Sequence, residues 1–170
     1  MRISVVDRVK IEPYKDSINS FLISVFGSGA SIKLNSDFQC AAIVQVDDEI
    51  VGCGLAYARE MSQGTHTFLA GIIGGIAIKE SYRGQGMSKS IVAALEGHLL
   101  SLGIMYSFLF AYEPNVYRGC GYDDLRSPIN YFDSEKNQWN TFVYRGGMVK
   151  PHSNHKLATG EIVEFKGSVY

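Results

Sequence analysis

Hydrophobic and polar positions along the chain predict an alternation of strands and helices. Residues 1–9 alternate weakly and predict a first strand. A helix follows, with Asp16 or Ser17 as its N-cap, and Gly27 and Gly29 end it. The apolar face of this helix consists of Ile18, Phe21, Leu22, Val25 and Phe26.

Two apolar runs then predict a β-hairpin. They cover residues 40–46 and 50–57, and three acidic residues at 47–49 join them. A third strand is predicted over residues 66–78, after a turn at 61–65. Gly74 and Gly75 within it indicate a bulge or the close approach of another molecule.

The clearest helical period begins at Met87. Apolar or small residues recur there at spacings of three and four, and Gly103 ends the predicted helix. Residues 105–111 predict a short buried strand, so the unit is strand, helix, strand. Pro114 and Gly121 suit the start and end of another short helix.

The remainder of the chain predicts further extended segments, including residues 141–149. The sequence shows neither an internal repeat nor a low-complexity linker. Its 170 residues fit one compact domain over 1–170.

Composition supports a globular protein and excludes several classes. Hydrophobic residues make up 46% of the chain and charged residues 19%, which is enough to bury a core. A net charge of −1 provides no global basic field for nucleic acid or an anionic membrane. The apolar stretch at residues 68–78 is about half of the roughly 20 residues that a spanning helix needs.

The termini and the cysteines indicate a cytoplasmic setting. Residues 1–10 carry four charged side chains and lack the apolar run of a signal peptide. Cys40, Cys53 and Cys120 are odd in number, lack CxxC spacing and lie among apolar residues. We therefore expect three unreactive thiols in a reducing compartment.

The segment with the most chemical information is residues 81–88, between the third strand and the periodic helix. Its Gly84-Gln85-Gly86 turn opens the helix, where free N–H groups and the positive end of the helix dipole suit a pyrophosphate. Glycines let a phosphate approach the backbone closely. The alternative interpretation is an ordinary strand-to-helix turn that needs two glycines.

Two common nucleotide motifs do not fit these residues. A GxGxxG fingerprint needs a third glycine where Lys89 stands, and an acidic residue about 20 positions later, where residues 103–105 read Gly-Ile-Met. A P-loop needs Gly-Lys-Ser/Thr after four spacers from Gly84, but Lys already occupies position 89. A nucleotide-dependent oxidoreductase is therefore disfavoured.

With these residues the chain resembles the GNAT superfamily of N-acetyltransferases. The acyl-CoA signature Gln/Arg-x-x-Gly-x-Gly/Ala is filled by Arg83, Gly84, Gln85, Gly86, Met87 and Ser88. Ser88 departs from the signature, because it stands where the signature has Gly or Ala, but it is also a small residue. A second motif of the family is matched by Asn115, Tyr117, Gly121 and Tyr122.

The resemblance implies a fold and a cofactor. The fold is of the α/β (α+β) class: a mixed, mostly antiparallel central sheet of six to seven strands, flanked by helices, with a CoA cleft opening between two parallel central strands. The backbone of Ile76, Ala77 and Ile78 would pair with the pantetheine arm. Residues 83–88 would bind the cofactor, with the N–H groups of residues 84–88 holding the pyrophosphate, and Asn115 would contact acetyl-CoA near its reactive end.

Chemistry explains why a tyrosine is useful at position 117. Attack on a thioester expels a thiolate, and a positioned hydroxyl can protonate it, so Tyr117 is the predicted general acid. A strand N–H near Ile76 could stabilise the oxyanion. Glu113 is the first candidate for the base, although a helix-start carboxylate is the alternative. Asp123 and Asp124 are weaker candidates and fit a solvated turn.

The acceptor is less determined by the sequence. We expect a small-molecule primary amine, and the C-terminal segment 160–167, followed by Tyr170, loosely resembles the tail of aminoglycoside 2′-N-acetyltransferases. A protein or peptide N-acetyltransferase and a non-catalytic acyl-CoA sensor remain open, as does a homodimer. We expect no metal, because His152 and His155 have no cysteine or carboxylate partner nearby in sequence.

Overall fold

The structure, a computed structural model, describes residues 1–167 and 169, and Tyr170 lies outside these residues. Its helices are α1 (Lys15–Phe26), α2 (Met87–Leu100) and α3 (Asn115–Arg118), with 3-10 turns at Glu12–Tyr14 and Glu80–Tyr82. Its strands are β1 (Arg2–Asp7), β2 (Phe38–Val46), β3 (Glu49–Gln63), β4 (His66–Ile78), β5 (Tyr106–Phe110), β6 (Asp123–Asp124), β7 (Ile129–Asp133), β8 (Gln138–Phe142), β9 (Gly147–Pro151) and β10 (Val163–Lys166).

The predicted class, a mixed and mostly antiparallel sheet with helices, is confirmed. Ten strands form one sheet within the described residues, more than the six to seven expected. The additional strands are short and come mainly from the last third of the chain, where the sequence alternates too weakly to show each one. No helix in the described part of the chain is long and apolar enough to cross a membrane.

The chain divides into two compact units, and β3 and β4 contribute residues to both. The first unit comprises residues 1–57 and 73–102, and the second comprises residues 58–72 and 103–170. The single domain predicted over 1–170 stays a prediction.

In the first unit, β1 pairs antiparallel with β2, and β2 pairs antiparallel with β3. The predicted hairpin turn is present, since Asp47 and Asp48 both have positive φ, of 48° and 64°. This is the backbone geometry of a tight two-residue hairpin. The apolar face predicted for α2 is also present, because Ile91, Leu95 and Leu99 are fully buried.

Two thiols of the first unit are chemically protected. Cys40 and Cys53 are fully buried, and loss of solvation raises the pKa of each to about 12, with a further contribution from Asp7 at Cys40. Cys120, in the second unit, is only partly buried. Since the thiolate is the nucleophile, we expect N-ethylmaleimide at pH 7 to label Cys120 alone in the native protein. Mass spectrometry of the intact chain checks this, with all three thiols labelled in urea as the control.

In the second unit the strand order is β6-β9-β5-β4-β3-β10-β7-β8. β10 is parallel to β7 and antiparallel to β3, and the pairs β5–β9, β6–β9 and β7–β8 are antiparallel. The core of this unit is an apolar cluster of Met61, Phe68, Ala70, Tyr106, Phe108, Leu125, Ile129, Val163 and Phe165.

The C-terminal segment is an internal strand and not a solvated one. β10 lies between β3 and β7, and its Val163 and Phe165 are buried. Gln63 holds the preceding residues in place: its Nε2 donates to the carbonyls of Ala158, at 2.9 Å, and Glu161, at 3.0 Å. Its Oε1 accepts from the N–H of Ala158 at 2.7 Å. The backbone before β10 is therefore fixed by one buried amide.

Candidate active site

The glycine-rich loop is an exposed turn that leads directly into α2. Arg83, Gly84, Gln85 and Gly86 are exposed, and the helix begins at Met87. Gly84 and Gly86 both have a φ of +75°, and a Cβ built on either would find no atom within 4 Å. Such left-handed backbone strongly favours glycine. The open space beside both residues is room that a bound phosphate could use.

The start of α2 is suited to an anion. Gly86 is the N-cap residue, and as a glycine it has no side chain to cap the helix. The first turn of the helix contains no acidic residue. The first N–H groups of a helix have no intrahelical partner and carry the positive end of its dipole. Arg83 is held at this point, because its Nε donates to the carbonyl oxygen of Ile78 at 3.2 Å. The loop residues therefore fit a diphosphate.

The end of β4 carries the predicted irregularity. Gly75 has a φ of +59°, and a left-handed residue inside a strand is typical of a bulge. A Cβ there would lie 3.0 Å from Leu55 Cδ1. Beyond it, Ala77 is buried while Ile76 and Ile78 are half-buried. Of the three residues predicted to pair with pantetheine, two are thus partly exposed at the surface of the first unit and one is not.

The predicted acid lies in a short helix of the second unit. α3 begins after Pro114 and contains Tyr117, which is half-buried. Loss of solvation, followed by the nearby Cys120, raises the pKa of Tyr117 above the usual tyrosine value. The phenol therefore keeps its proton at physiological pH, as a general acid must.

A polar chain connects α3 to β6. Arg118 donates from Nε to Asn115 Oδ1 at 3.1 Å, and its Nη2 lies 2.8 Å from Asp124 Oδ1. Arg118 was not among the residues predicted from the sequence, although its spacing of three from Asn115 on a helix was a usable signal. The side-chain oxygen of Asn115 is thus occupied within its own unit, which leaves its amide nitrogen for a ligand.

The other predicted carboxylates differ in setting. Glu113 is exposed, and its carbonyl accepts from the N–H of Val116 at 3.1 Å, as at a helix start. Asp123 and Asp124 are exposed, as predicted, but they form β6 and pair with β9, so the turn predicted for them is wrong. A two-residue strand was undetectable, because acidic residues rarely favour sheets.

A glycine behind the segment that carries Glu113 was also missed. The N–H of Ala111 donates to the carbonyl of Gly146 at 3.0 Å. A Cβ on Gly146, whose φ is +55°, would lie 2.0 Å from the Ala111 carbonyl oxygen and 3.1 Å from Pro114. The chain from Ala111 to Pro114 can therefore pass this close only to a glycine.

The predicted site residues thus fall into two sets. Ile76 to Ile78 and Arg83 to Ser88 belong to the first unit, and Glu113, Asn115 and Tyr117 belong to the second. The roles assigned to them, and the cleft that they would share, stay predictions. Within the described residues no group of three or more metal-ligating side chains is found. His152 instead lies with Nε2 2.7 Å from Ser107 Oγ.

Comparison with known families decides the classification. The sequence model of the acetyltransferase (GNAT) domain matches residues 34–124, which is more than half of the 170 residues. The chain belongs to the GNAT acetyltransferase family. No curated protein matches it in sequence.

Several solved acetyltransferase structures have a similar fold. A GNAT family N-acetyltransferase from Escherichia coli, in complex with CoA, is 15% identical with a TM-score of 0.66, over 97% of this chain and 90% of that one. An aminoglycoside acetyltransferase from an uncultured soil metagenomic sample is 20% identical with a TM-score of 0.57, over 69% of this chain and 85% of that one.

A third structure is longer than this chain. A probable N-acyltransferase from Enterococcus faecalis V583 is 16% identical with a TM-score of 0.58, over 75% of this chain. This GNAT chain covers only 33% of that protein. At these identities the likeness concerns the fold.

Proposed function

We propose that this GNAT protein transfers an acetyl group from acetyl-CoA to a primary amine of a small molecule by direct attack. The observation that supports this most is the exposed loop at the start of α2, where Gly84 and Gly86 are left-handed and have open space beside them. The loop offers unpaired helix N–H groups to a diphosphate.

The donor site combines two kinds of backbone contact. The N–H groups of residues 84–88 would hold the diphosphate, and the backbone of Ile76 to Ile78 would pair with the pantetheine arm in the manner of a strand. The bulge at Gly75 would free an N–H near Ile76 to stabilise developing negative charge. Acetyl-CoA itself would supply the acetyl group as an activated thioester.

Tyr117 would protonate the leaving sulfur. Its half-buried hydroxyl remains protonated across the physiological pH range, since burial raises its pKa. The same rise makes the phenol a weaker acid, so the transfer depends on the thiolate being formed beside it. Because a thiol has a usual pKa of about 8.5, this proton transfer is uphill, and it would be completed as the Tyr117 phenolate regains a proton from solvent or from the ammonium product.

The acceptor amine must lose a proton before it attacks. An alkyl amine with a pKa of about 10.4 costs about 4 to 5 kcal/mol to deprotonate at pH 7. Glu113 is exposed and can exchange protons with solvent, so it would act directly or through a water. We also propose that the protein is cytoplasmic. Its mass in solution would show whether it forms a homodimer.

Incubation with acetyl-CoA and a panel of amines tests the proposed function. The panel contains an aminoglycoside, spermidine, a peptide with a free N-terminus and a lysine peptide. We expect mass spectrometry to show a gain of one acetyl group on a small amine. Acetylation of peptides alone would reassign the acceptor. Stabilisation of the protein by CoA without any product would overturn the enzymatic role in favour of a sensor.

Gly86→Glu tests the donor site separately. The substitution forces a side chain into left-handed backbone and sets a carboxylate beside the phosphates, so we expect CoA affinity to fall at least about tenfold. Gly103→Glu is the matched control, because Gly103 has a φ of +80°, open space and a place outside the loop. Calorimetry that finds equal CoA affinity in both variants would remove the loop from the donor site.

A further inference from the structure

A cavity lies within the second unit, and its lining includes no residue of the glycine-rich loop. Its volume is about 390 Å³, a size typical of small-molecule pockets. Apolar side chains from β9 and from two loops line it, and these are Leu125, Val149, Pro151 and Leu157. The loop that carries Leu157 is held by the hydrogen bonds of Gln63 to Ala158. The cavity is therefore built from fixed backbone.

Tyr106 gives the cavity a buried polar group. It is 1% exposed, lines the cavity and packs edge-on against Phe68, with ring centroids 4.7 Å apart. Burial raises the pKa of this phenol, so it is a neutral donor and acceptor. A polar ligand atom in the cavity can therefore donate to this hydroxyl or accept from it.

The charged residues around the cavity favour an anion. Five of them line it: Arg118, Asp123, Asp124, Arg126 and Lys156. Arg118 and Asp124 form an ion pair at 2.8 Å, so their charges cancel. Arg126 and Lys156 then oppose only Asp123, which leaves one surplus positive charge. Guanidinium and ammonium groups are the usual partners of carboxylates.

We propose that this cavity binds a small carboxylic acid with an apolar body, as a ligand site whose lining contains none of the residues assigned to acetyl-CoA. Its carboxylate contacts Arg126 and Lys156, its body packs against Leu125 and Leu157, and Tyr106 hydrogen-bonds a polar atom of the ligand. This assignment does not depend on the proposed acetyl transfer.

Three probes of similar size and different charge test the site: benzoate, benzyl alcohol and benzylamine. We expect benzoate to shift the methyl NMR signals of Leu125, Val149 and Leu157 in the full chain. Benzyl alcohol should bind several-fold more weakly, and benzylamine more weakly still. The methyl signals of Ile76 and Ile78, in the proposed donor site, should not move.

Substitutions at exposed charged residues that line the cavity separate the effect of ligand charge on binding from the effect of ligand shape. Arg126→Gln should weaken benzoate binding about twofold to fivefold, less at high salt, as expected for an exposed ion pair. Asp123→Asn, the matched control of opposite sign, should strengthen it by a similar factor. Tyr106→Phe should leave benzoate affinity unchanged but remove any gain that 4-hydroxybenzoate shows over benzoate.

Two results would overturn the proposal. One is the absence of shifts at Leu125, Val149 and Leu157 up to millimolar benzoate in a protein that remains folded by circular dichroism. The other is equal binding of benzoate and benzylamine, or the same response to Arg126→Gln and Asp123→Asn. Because Arg126 and Asp123 are both exposed, neither variant should fail to fold.

Discussion

Tyr117→Phe is expected to lower kcat about 100-fold while CoA affinity stays within a few-fold of the parent value. The substitution removes one hydroxyl and keeps the ring that occupies a half-buried position in α3. A group that acts only as the leaving group departs contributes to the transition state and not to ground-state binding. Steady-state kinetics and calorimetry with CoA measure the two quantities.

The pH dependence adds a second readout. Tyr117 acts in its protonated form, and its pKa is raised, so its own ionisation should lower the activity of the parent enzyme only above the usual tyrosine pKa. That alkaline decline should be absent in Tyr117→Phe. Tyr112→Phe is the control, because Tyr112 is 99% exposed and should be silent. Equal losses of turnover and CoA affinity would refute the assigned role.

Gly146→Ala is expected to destabilise the protein by about 3 kcal/mol or more, from left-handed strain of about 1–2 kcal/mol and a backbone overlap of similar cost. The added Cβ would lie 2.0 Å from the Ala111 carbonyl oxygen, and backbone cannot rotate away as a side chain does. Since Ala111 leads into Glu113 and Tyr117, kcat should fall as well. For a chain of this size the melting temperature should drop by roughly 6–12 °C.

Gly160→Ala separates the two causes. Gly160 has a φ of +80° but nothing within 4 Å of the added Cβ, so only strain remains, at about 1–2 kcal/mol. Thermal unfolding of both variants measures the difference. Equal melting temperatures would show that the contact between Gly146 and Ala111 is not tight in solution.

Much of the backbone geometry of the proposed donor site could be predicted from the sequence. Its chemistry depends on backbone N–H groups and on glycines, and both are readable from a few consecutive residues. The turn at residues 83–86, the start of α2 and the irregularity at Gly75 all lie close to their predicted places. Local structure of this kind follows from local conformational preferences, which neighbouring residues alone can set.

The less predictable parts depend on residues far apart in the chain. Arg118 and Asp124 were separately visible, but their ion pair requires β6 to pair with β9. The close approach of Gly146 to Ala111 joins segments 35 positions apart, and no local pattern marks it. The same holds for Gln63, whose partners lie 95 and 98 residues away.

The amino-acid sequence by itself determined the order of the main elements, the glycine-rich helix start and the membership of the GNAT family. Only the tertiary structure decided the ten-stranded sheet, the interior position of β10 and the cavity around Tyr106. The physical reason is the distance along the chain between the residues that interact. Helix starts and turns follow from backbone sterics within a few residues, whereas strand pairing and cavities arise where distant segments meet, and burial selects among many arrangements that local preference permits equally.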